Sequence, residues 1–451
     1  MRVLNKVTGK SKAVISISLA FALMLAGCAG SDSTNVKAEM EPEASVSVEE
    51  NENADTEDNE IISEEKETQK VKNGDLVDGI YYFSTFDMKK PDNDAIAFTD
   101  KMGAGWSLGN TFDSISEGVA VEDLKHETYW GNPKTTEQNI IDLKEAGFST
   151  IRIPVSWHNH VDGNFVISEA WLNRVKEVVD YAISADMYVI LNIHHDNEKG
   201  FMYPSYEEIE RSKKYVETIW TQLATTFGDY DEHLIFETLN EPRMKDTDAE
   251  WWVDQYSDLG KEAMDCVNIL NQTAVTAIRS TEGEYNKERF IMCPTYCANP
   301  DFIDSFVMPD DSLATKENRI LLSIHAYRPY GFALAPDDHP DVTDVFENDS
   351  KSKKDIDDFM SKVYSKFISK GIGTVIGEFG ACNRNGNIES RSLFAAYFAS
   401  QAKMHGFSYV WWDNGIFTEP GEKFGIYDRR NNEFKYPEIA NNLVYYSNKT
   451  E

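Results

Sequence analysis

Two periods of apolar and polar residues alternate along the chain from about residue 100 onward. Short runs rich in β-branched and aromatic side chains predict buried strands, and longer stretches with apolar residues at every third or fourth position predict amphipathic helices. The predicted strands are Ala104–Leu108, Thr150–Val155, Tyr188–Ile193, Leu234–Thr238, Phe290–Cys293, Ile320–Ile324, Thr374–Ile376 and Tyr409–Trp411. The predicted helices are Glu137–Ala146, Ser168–Ala185, Tyr206–Phe227, Ala249–Ser280, Lys353–Lys370 and Ile388–His405.

Strands that alternate with helices are typical of parallel sheets built from βαβ units. Eight such units predict an α/β protein with a (β/α)8 fold, the TIM barrel. A doubly wound sheet is the competing architecture, but it would need a glycine-rich phosphate-binding turn after its first strand. The sequence has no such turn, and we expect a single barrel domain over residues 76–451.

Most of the predicted strands run directly into polar or aromatic residues at their carboxyl ends. In a parallel barrel these ends meet on one rim, where barrel enzymes assemble their sites from several strands. The clusters therefore predict a functional site at that rim. They are Gly109-Asn110 with Asp113, Ser156-Trp157, His194-His195-Asp196, Asn240-Glu241-Pro242-Arg243, Thr295-Tyr296, His325-Ala326-Tyr327, Glu378-Phe379-Gly380 and Trp412-Asp413-Asn414.

Two of these clusters place a glutamate behind a strongly apolar strand, Glu241 after the fourth and Glu378 after the seventh. Because these strands are three steps apart in a ring of eight, their ends face each other across the barrel mouth. Two opposed carboxyl groups about 5–5.5 Å apart, one protonated and one ionised, are the arrangement of retaining glycoside hydrolysis. A rim ion pair or a helix cap explains either glutamate alone, but it explains the pair less well.

The amino terminus differs from the rest of the chain. A basic start and an apolar run from Ala13 to Ala26 predict a secretory signal peptide over residues 1–27. The run is too short to span a bilayer comfortably, since a transmembrane helix needs about 20 residues. It ends in Leu25-Ala26-Gly27-Cys28, which resembles a bacterial lipobox, so we expect Cys28 to be lipidated after cleavage. An ordinary signal peptide with an incidental cysteine is the alternative.

Acidic residues dominate the segment that follows. Residues 32–75 contain 15 acidic and four basic residues and no aromatic one, so with Cys28 they predict a disordered acidic linker over residues 28–75. The formal net charge of the chain, −33, argues against nucleic acid as a partner and leaves a lipid anchor as the expected membrane contact. We expect a monomer that is exported and either anchored on the cell envelope or extracellular. Cys293 and Cys297 lack the second pair that a structural zinc site would need.

Asn240-Glu241-Pro242 together with Gly377-Glu378-Phe379-Gly380 resembles the signature of glycoside hydrolase family 5, a cellulase family with a (β/α)8 barrel. Matching motifs follow in order from about residue 95 to residue 445, and the residues of these motifs are most similar to those of the subfamily 4 endoglucanases. The resemblance implies a retaining endo-β-1,4-glucanase that acts on cellulose, mixed-linkage β-glucan or xyloglucan without a cofactor. The other motifs are Trp106-Ser107-Leu108-Gly109-Asn110-Thr111, Trp130-Gly131-Asn132-Pro133, Arg152-Ile153-Pro154-Val155-Ser156-Trp157, Leu191-Asn192-Ile193-His194-His195, His325-Ala326-Tyr327 and Trp411-Trp412-Asp413-Asn414.

The resemblance also implies roles for individual residues. Glu241 would be the general acid/base and Glu378 the nucleophile, and Glu241 would hold its proton to higher pH. The remaining residues would bind substrate or tune this pair: Arg152 pairs with Glu378 and keeps it ionised, Tyr327 hydrogen-bonds Glu378, His325 lies beside Glu241, Asn240 binds the sugar 2-hydroxyl, His194 and His195 contact the sugar, and Trp411 forms a stacking floor.

Several alternatives remain open at the level of sequence. Arg152 also fits an ordinary barrel ion pair, and Trp411 also fits the core. His194-His195-Asp196 suggests zinc, but neighbouring side chains on a strand point to opposite sides, so no catalytic metal is expected. A β-mannanase or xylanase would share the glutamate pair, whereas a catalytically inert glucan-binding surface lipoprotein would have lost it.

Overall fold

The computed structural model describes residues 71–448, and these residues contain a closed barrel of eight parallel strands. Consecutive strands pair side by side, and the eighth closes the ring by pairing with the first. The predicted (β/α)8 fold is confirmed. The barrel strands are β1 (Ala104–Leu108), β2 (Thr150–Ile153), β3 (Tyr188–Asn192), β4 (Leu234–Glu237), β5 (Ile291–Pro294), β6 (Ile320–His325), β7 (Thr374–Phe379) and β8 (Phe407–Asp413).

Helices surround the barrel, with only short 3-10 turns, Tyr296–Ala298 and Pro300–Phe302, between β5 and β6. Two helices of one turn, His126–Tyr129 and Tyr330–Ala333, lie in loops that follow strands. The longer helices are α1 (Asp94–Met102), α2 (Glu137–Glu145), α3 (Glu169–Ser184), α4 (Ile209–Thr226), α5 (Asp258–Ser280), α6 (Ser350–Lys366), α7 (Ile388–His405) and α8 (Pro437–Asn448).

The inside of the barrel is layered along the strands. Its lower layer is apolar and packs against α1, through Phe98 and Met102 among others. Because side chains alternate between the two faces of a strand, the inward position two residues further along lies nearer the carboxyl end. Four of those positions carry polar or aromatic side chains that build the mouth, and the other two are a proline and a glycine: Asn192, Glu237, Ser323 and Trp412, with Pro294 and Gly377. The apolar inward residues are Ile190, Ile235, Met292, Leu321, Val375 and Val410.

The predicted start of α5 at Ala249 was wrong. The helix begins at Asp258, where the Ser257 hydroxyl accepts a hydrogen bond from the Gly260 N–H group. Such a cap satisfies an amide that the helix itself leaves unpaired, and it fixes the first turn. Residues 249–257 instead form a loop on the carboxyl side of β4 that carries exposed Trp252.

The predicted signal peptide (residues 1–27), the lipidation site Cys28 and most of the linker (residues 28–75) lie outside the described residues. The linker's last residues do contact the folded body: the Gly74 N–H group donates to the Tyr82 carbonyl (2.7 Å), and Asn348 Nδ2 donates to the Asn73 carbonyl (2.6 Å). Between residues 71 and 448, no helix combines the length and the apolar character needed to cross a membrane.

Candidate active site

Arg152 is the centre of the barrel mouth. It is fully buried near the end of β2, and its Nη1 donates to Glu378 Oε1 (2.7 Å) while Nη2 donates to Asn240 Oδ1 (2.7 Å). The Tyr327 hydroxyl donates to the other oxygen of Glu378, Oε2 (2.9 Å). Both oxygens of Glu378 are therefore held by donors that favour an ionised carboxylate.

A bulge in β7 brings Glu378 to this position. β6 pairs Ile324 with Ile376 and then His325 with Glu378, so Gly377 is an extra residue in the ladder. A bulge re-aims the side chain that follows it. The absent side chain at Gly377 also matters, because a Cβ there would stand 3.1 Å from Glu237 Oε1 and 3.3 Å from His325 Nε2.

Glu241 lies in the loop after β4 and faces Glu378 across one imidazole. His325 Nδ1 is 2.8 Å from Glu241 Oε1 and 3.6 Å from Glu378 Oε2. On the other side of Glu241, Arg243 Nη1 stands 3.6 Å from Oε2, and its guanidinium stacks on Trp251 at 4.1 Å. An oxygen from each glutamate lies within 4.8 Å of the other, so the predicted opposition of the two carboxyls is present in the structure.

His325 and Glu241 shift each other's pKa in opposite directions. Burial alone would raise the pKa of Glu241, but the hydrogen bond and positive charge of His325 outweigh it and lower that pKa. Burial alone would lower the pKa of His325, but the negative charges of Glu378 and Glu241 raise it. In the free protein the pKa of Glu241 is therefore lowered, whereas its negatively charged neighbour Glu378 alone favours a raised one.

His194 and His195 lie side by side beyond the end of β3, with ring centroids 4.3 Å apart. The alternation of a strand does not apply to them, so the expectation of opposite directions was wrong. Burial lowers the pKa of both rings, that of His195 to about 3, so both are neutral at neutral pH. His194 is almost completely buried, and His195 packs near Trp130 (5.8 Å between centroids).

Trp411 does not form a floor of the mouth. Its ring is fully buried on the outer face of β8 against Phe379, and its Nε1 donates to the Phe424 carbonyl (3.1 Å). Trp412 takes the inward position instead, two residues after Val410. Its ring lies parallel to the His194 imidazole, 5.8 Å away at 5°. The prediction for Trp411 was therefore wrong by one residue.

Two triplets among the described residues bring possible metal-ligand atoms within 4.8 Å of one another: Asp113 with His194 and His195, and Glu241 with His325 and Glu378. In the first, both Asp113 oxygens already accept backbone N–H groups (2.6 and 3.0 Å). In the second, the close approach is that of two glutamates bridged by one imidazole. The Asp113 oxygens and the Glu241–His325–Glu378 group are thus engaged in hydrogen bonds and ion pairs within the protein.

Comparison with known proteins agrees with this geometry. The family model described as cellulase, glycosyl hydrolase family 5, matches residues 112–418. The chain belongs to glycosyl hydrolase family 5. Endoglucanase A of Clostridium longisporum is 40% identical over 355 residues, which are 78% of this chain and 65% of that protein. Endoglucanase B of Neocallimastix patriciarum is 40% identical over 347 residues, 75% of this chain and 69% of that protein.

Solved structures of family 5 proteins share the fold at high coverage. A GH5 family lichenase from a Caldicellulosiruptor species is 48% identical with a TM-score of 0.79, covering 82% of this chain and 99% of that one. A GH5-4 broad specificity endoglucanase from Ruminococcus champanellensis, solved with bound cellotriose, is 38% identical with a TM-score of 0.71, covering 79% and 100%. The chain spans 65% and 40% of the length of the first two curated relatives, endoglucanase A and the cellulase/esterase CelE of Acetivibrio thermocellus.

Two acidic residues of this family 5 site were missed by the sequence analysis. Glu237 ends β4 and is completely buried against Arg152. The available signal was a charge at an inward position, two residues after Ile235. Glu422 lies in the loop after β8. Desolvation by the surrounding protein and repulsion from Glu241 and Glu378 raise its pKa to about 7. Glu422 is exposed by accessible surface, so water at the mouth screens part of this repulsion. No pattern in the sequence marks it.

Proposed function

We propose that this protein is a retaining endo-β-1,4-glucanase that hydrolyses cellulose-like, mixed-linkage or xyloglucan chains by double displacement. The observation that carries the proposal is the opposition of Glu241 and Glu378 with oxygens within 4.8 Å. Retaining enzymes place their two carboxyls about 5–5.5 Å apart, whereas inverting enzymes leave about 6.5–9.5 Å for a water molecule. The family supports the same chemistry, since the similar proteins named above are endoglucanases and a lichenase.

In this proposal Glu378 attacks the anomeric carbon. Arg152 and Tyr327 each donate a hydrogen bond to one of its oxygens, so the carboxylate is oriented before the sugar arrives. Attack forms a glycosyl–enzyme ester and breaks the glycosidic bond. Water then attacks the same carbon and releases the sugar with its original configuration, because two displacements at one centre restore it.

Glu241 serves as the general acid and then as the general base. In this proposal Glu241 receives the proton that it delivers from His325, whose Nδ1 lies 2.8 Å from Glu241 Oε1. When a glycosidic oxygen enters and water leaves, the carboxylate form of Glu241 loses hydration, and transfer of the proton from His325 becomes favourable. The pair as a whole titrates, so the alkaline side of the pH profile belongs to both residues.

Side chains at the barrel mouth provide the proposed substrate contacts. Asn240 directs its carbonyl oxygen to Arg152, and its amide nitrogen is then the end that meets the sugar 2-hydroxyl. Trp412 supplies the stacking surface that was assigned to Trp411, since a flat apolar ring suits the C–H face of a pyranose. His194 and His195 contact the sugar hydroxyls beside it.

Product stereochemistry and two variants test the mechanism. NMR during hydrolysis of cellotetraose should show the β-anomer forming first. Glu378→Ala should be inactive and regain turnover with azide, giving an α-glycosyl azide. Glu241→Ala should lose less activity on dinitrophenyl cellobioside than on cellotetraose, because a good leaving group needs little protonation. An α-anomer as first product would exclude the double displacement.

A substrate panel tests the specificity. Carboxymethyl-cellulose, barley β-glucan, xyloglucan, mannan and xylan should separate into three that are cut and two that are not. Rapid loss of viscosity relative to release of reducing ends would show cutting within chains. A preference for mannan or xylan would indicate a mannanase or xylanase instead of a glucanase. If the folded protein cut none of these glycans, the result would favour a glucan-binding protein without catalytic activity.

We propose, further, that the protein is exported and held on the cell envelope by a lipid on Cys28. Leu25-Ala26-Gly27-Cys28 directly after an apolar run supports this. Metabolic labelling with an alkyne fatty acid should mark the parent and not Cys28→Ala. Equal labelling of the two proteins, or an unlabelled parent, would contradict the proposed lipid anchor.

A further inference from the structure

Glu237 gathers hydrogen bonds from three other strands. Its Oε2 accepts from Arg152 Nε (2.8 Å) on β2 and from Asn192 Nδ2 (2.9 Å) on β3, and Arg152 Nη2 stands 2.7 Å from the same oxygen as an ion-pair contact. Its Oε1 accepts from the Ser323 hydroxyl (2.6 Å) on β6. A completely buried carboxylate with three hydrogen-bond donors and an ion-pair partner has a fixed position, because losing any donor would leave part of its charge unsatisfied.

Through Arg152 this carboxylate orients the reacting groups. The guanidinium offers its donors in one rigid plane. With Nε and Nη2 fixed on Glu237, Nη1 reaches Glu378 and Nη2 also reaches Asn240. Glu237 also shares the positive charge of Arg152, so Glu378 is held without receiving the full attraction of an undivided cation.

Through Asn192 the same carboxylate fixes the tautomer of His194. Asn192 Oδ1 accepts from the Val155 N–H group (3.1 Å), so its amide nitrogen must be the end that faces Glu237 and His194. One amide hydrogen goes to Glu237 and the other to His194 Nδ1, 3.2 Å away. Nδ1 is then an acceptor, and the neutral His194 ring carries its proton on Nε2.

We propose that Glu237 is a positioning residue of the active site, which orients Arg152 against Glu378 and Asn240 and sets His194 as an Nε2–H donor toward the sugar. The inference rests on the proposed function. To the two glutamates of that function it adds a third, buried carboxylate, which contacts neither the substrate nor the reacting atoms.

Glu237→Gln keeps the shape and removes the charge. We expect kcat to fall by about 10²-fold, the usual effect of displacing reacting groups by about 1 Å. Because Arg152 is then shared with no second anion, its full charge acts on Glu378, and the acidic limb of kcat/KM should move to lower pH. The charged or titratable groups that face Glu378 and Glu237 and are unchanged in this variant are Arg152, Glu241, His325, Tyr327 and Glu422.

Two further variants separate charge from structure. Glu237→Asp keeps the charge but is too short to reach Arg152, Asn192 and Ser323 together, so kcat should fall while the acidic limb stays at the parent's pH. Glu127→Gln is the matched control, because Glu127 is also buried and doubly bonded to an arginine, Arg174 (2.7 and 2.9 Å). It should lose stability without moving the acidic limb.

The decisive measurements are pH profiles of kcat/KM and the trapping rate with 2,4-dinitrophenyl 2-deoxy-2-fluoro-β-cellobioside. Trapping of the parent on Glu378, seen by mass spectrometry, tests the proposed function alone. If the parent is trapped and folded Glu237→Gln keeps the parent's kcat and acidic limb, or its limb moves upward, the positioning role is overturned. Should Glu237→Gln not fold, ¹⁵N-histidine NMR of the parent, with His194→Gln for assignment, decides: an Nδ1–H tautomer overturns the inference.

Discussion

Trp411 and Trp412 are neighbours in β8 with opposite surroundings, so replacing each with alanine separates packing from binding. Trp411 is fully buried against Phe379 and Phe394. Its removal leaves a cavity, and large aromatic-to-alanine changes in cores cost about 3–5 kcal/mol. Since domains are stable by about 5–15 kcal/mol, Trp411→Ala should fold at 25 °C and keep a kcat/KM close to the parent's.

Trp412→Ala should show the reverse pattern. Trp412 is 7% exposed, so little of its surface remains for a sugar to cover, and the area of a whole ring face does not count. An aromatic stacking contact contributes roughly 0.5–1.5 kcal/mol beyond buried area. Because each 1.36 kcal/mol is tenfold in rate, kcat/KM should fall about two- to tenfold. The loss of stability should be smaller than for Trp411→Ala, because this ring lies at the mouth.

The assays are kcat/KM on cellotetraose at 25 °C and urea unfolding followed by far-ultraviolet circular dichroism. Trp411→Ala should lower the urea midpoint, and Trp412→Ala should lower kcat/KM. The assignment fails if folded Trp411→Ala loses as much kcat/KM as Trp412→Ala, or if Trp412→Ala works at the parent's rate.

Three other outcomes are expected. The pKa of His325 is raised and that of Glu241 lowered, so their ion pair stabilises the fold most between about pH 4.5 and 6.5. The stability difference between parent and His325→Gln should peak there and shrink as pH rises through the raised value or falls through the lowered one; a flat difference contradicts the ion pair. Gly377→Ala should reduce kcat at least tenfold, because the added Cβ would press on Glu237 and His325. A kcat equal to the parent's would show that these side chains can move aside without loss of activity. A reducing agent should not change the urea midpoint, and native-state alkylation of the described cysteines should be slow, because burial raises the pKa of each thiol; rapid labelling would show that the barrel opens. These cysteines are Cys266, Cys293, Cys297 and Cys382.

The sequence predicted the barrel because the two periods of its apolar residues differ clearly, and every predicted strand lies in or beside an observed one. The opposed glutamates were also predictable, since the order of strands in a closed barrel fixes which ends face each other. Details that depend on side-chain direction were not. The motif contains both Trp411 and Trp412, and only the phase of β8 shows which of the two rings points inward.

The residues that were missed have long-range causes. Glu237 looks like a strand residue in the sequence, and its importance arises from Arg152, Asn192 and Ser323 on three other strands. The direction of the Glu241 pKa shift has a similar cause. The negative charge of Glu378 alone would raise that pKa, whereas the hydrogen bond and charge of His325 lower it.

The seam of the barrel has a consequence for how the protein is made. Trp106 Nε1 on β1 donates to Asp413 on β8 (2.9 Å), 307 residues away in the chain, and Tyr81 N–H donates to Asn442 on α8, 361 residues away. Contacts between such distant segments are slow to form, because a long loop must close first. The barrel can therefore close only after β8 has left the ribosome. An open sheet with exposed edges is the species that chaperones would meet during synthesis.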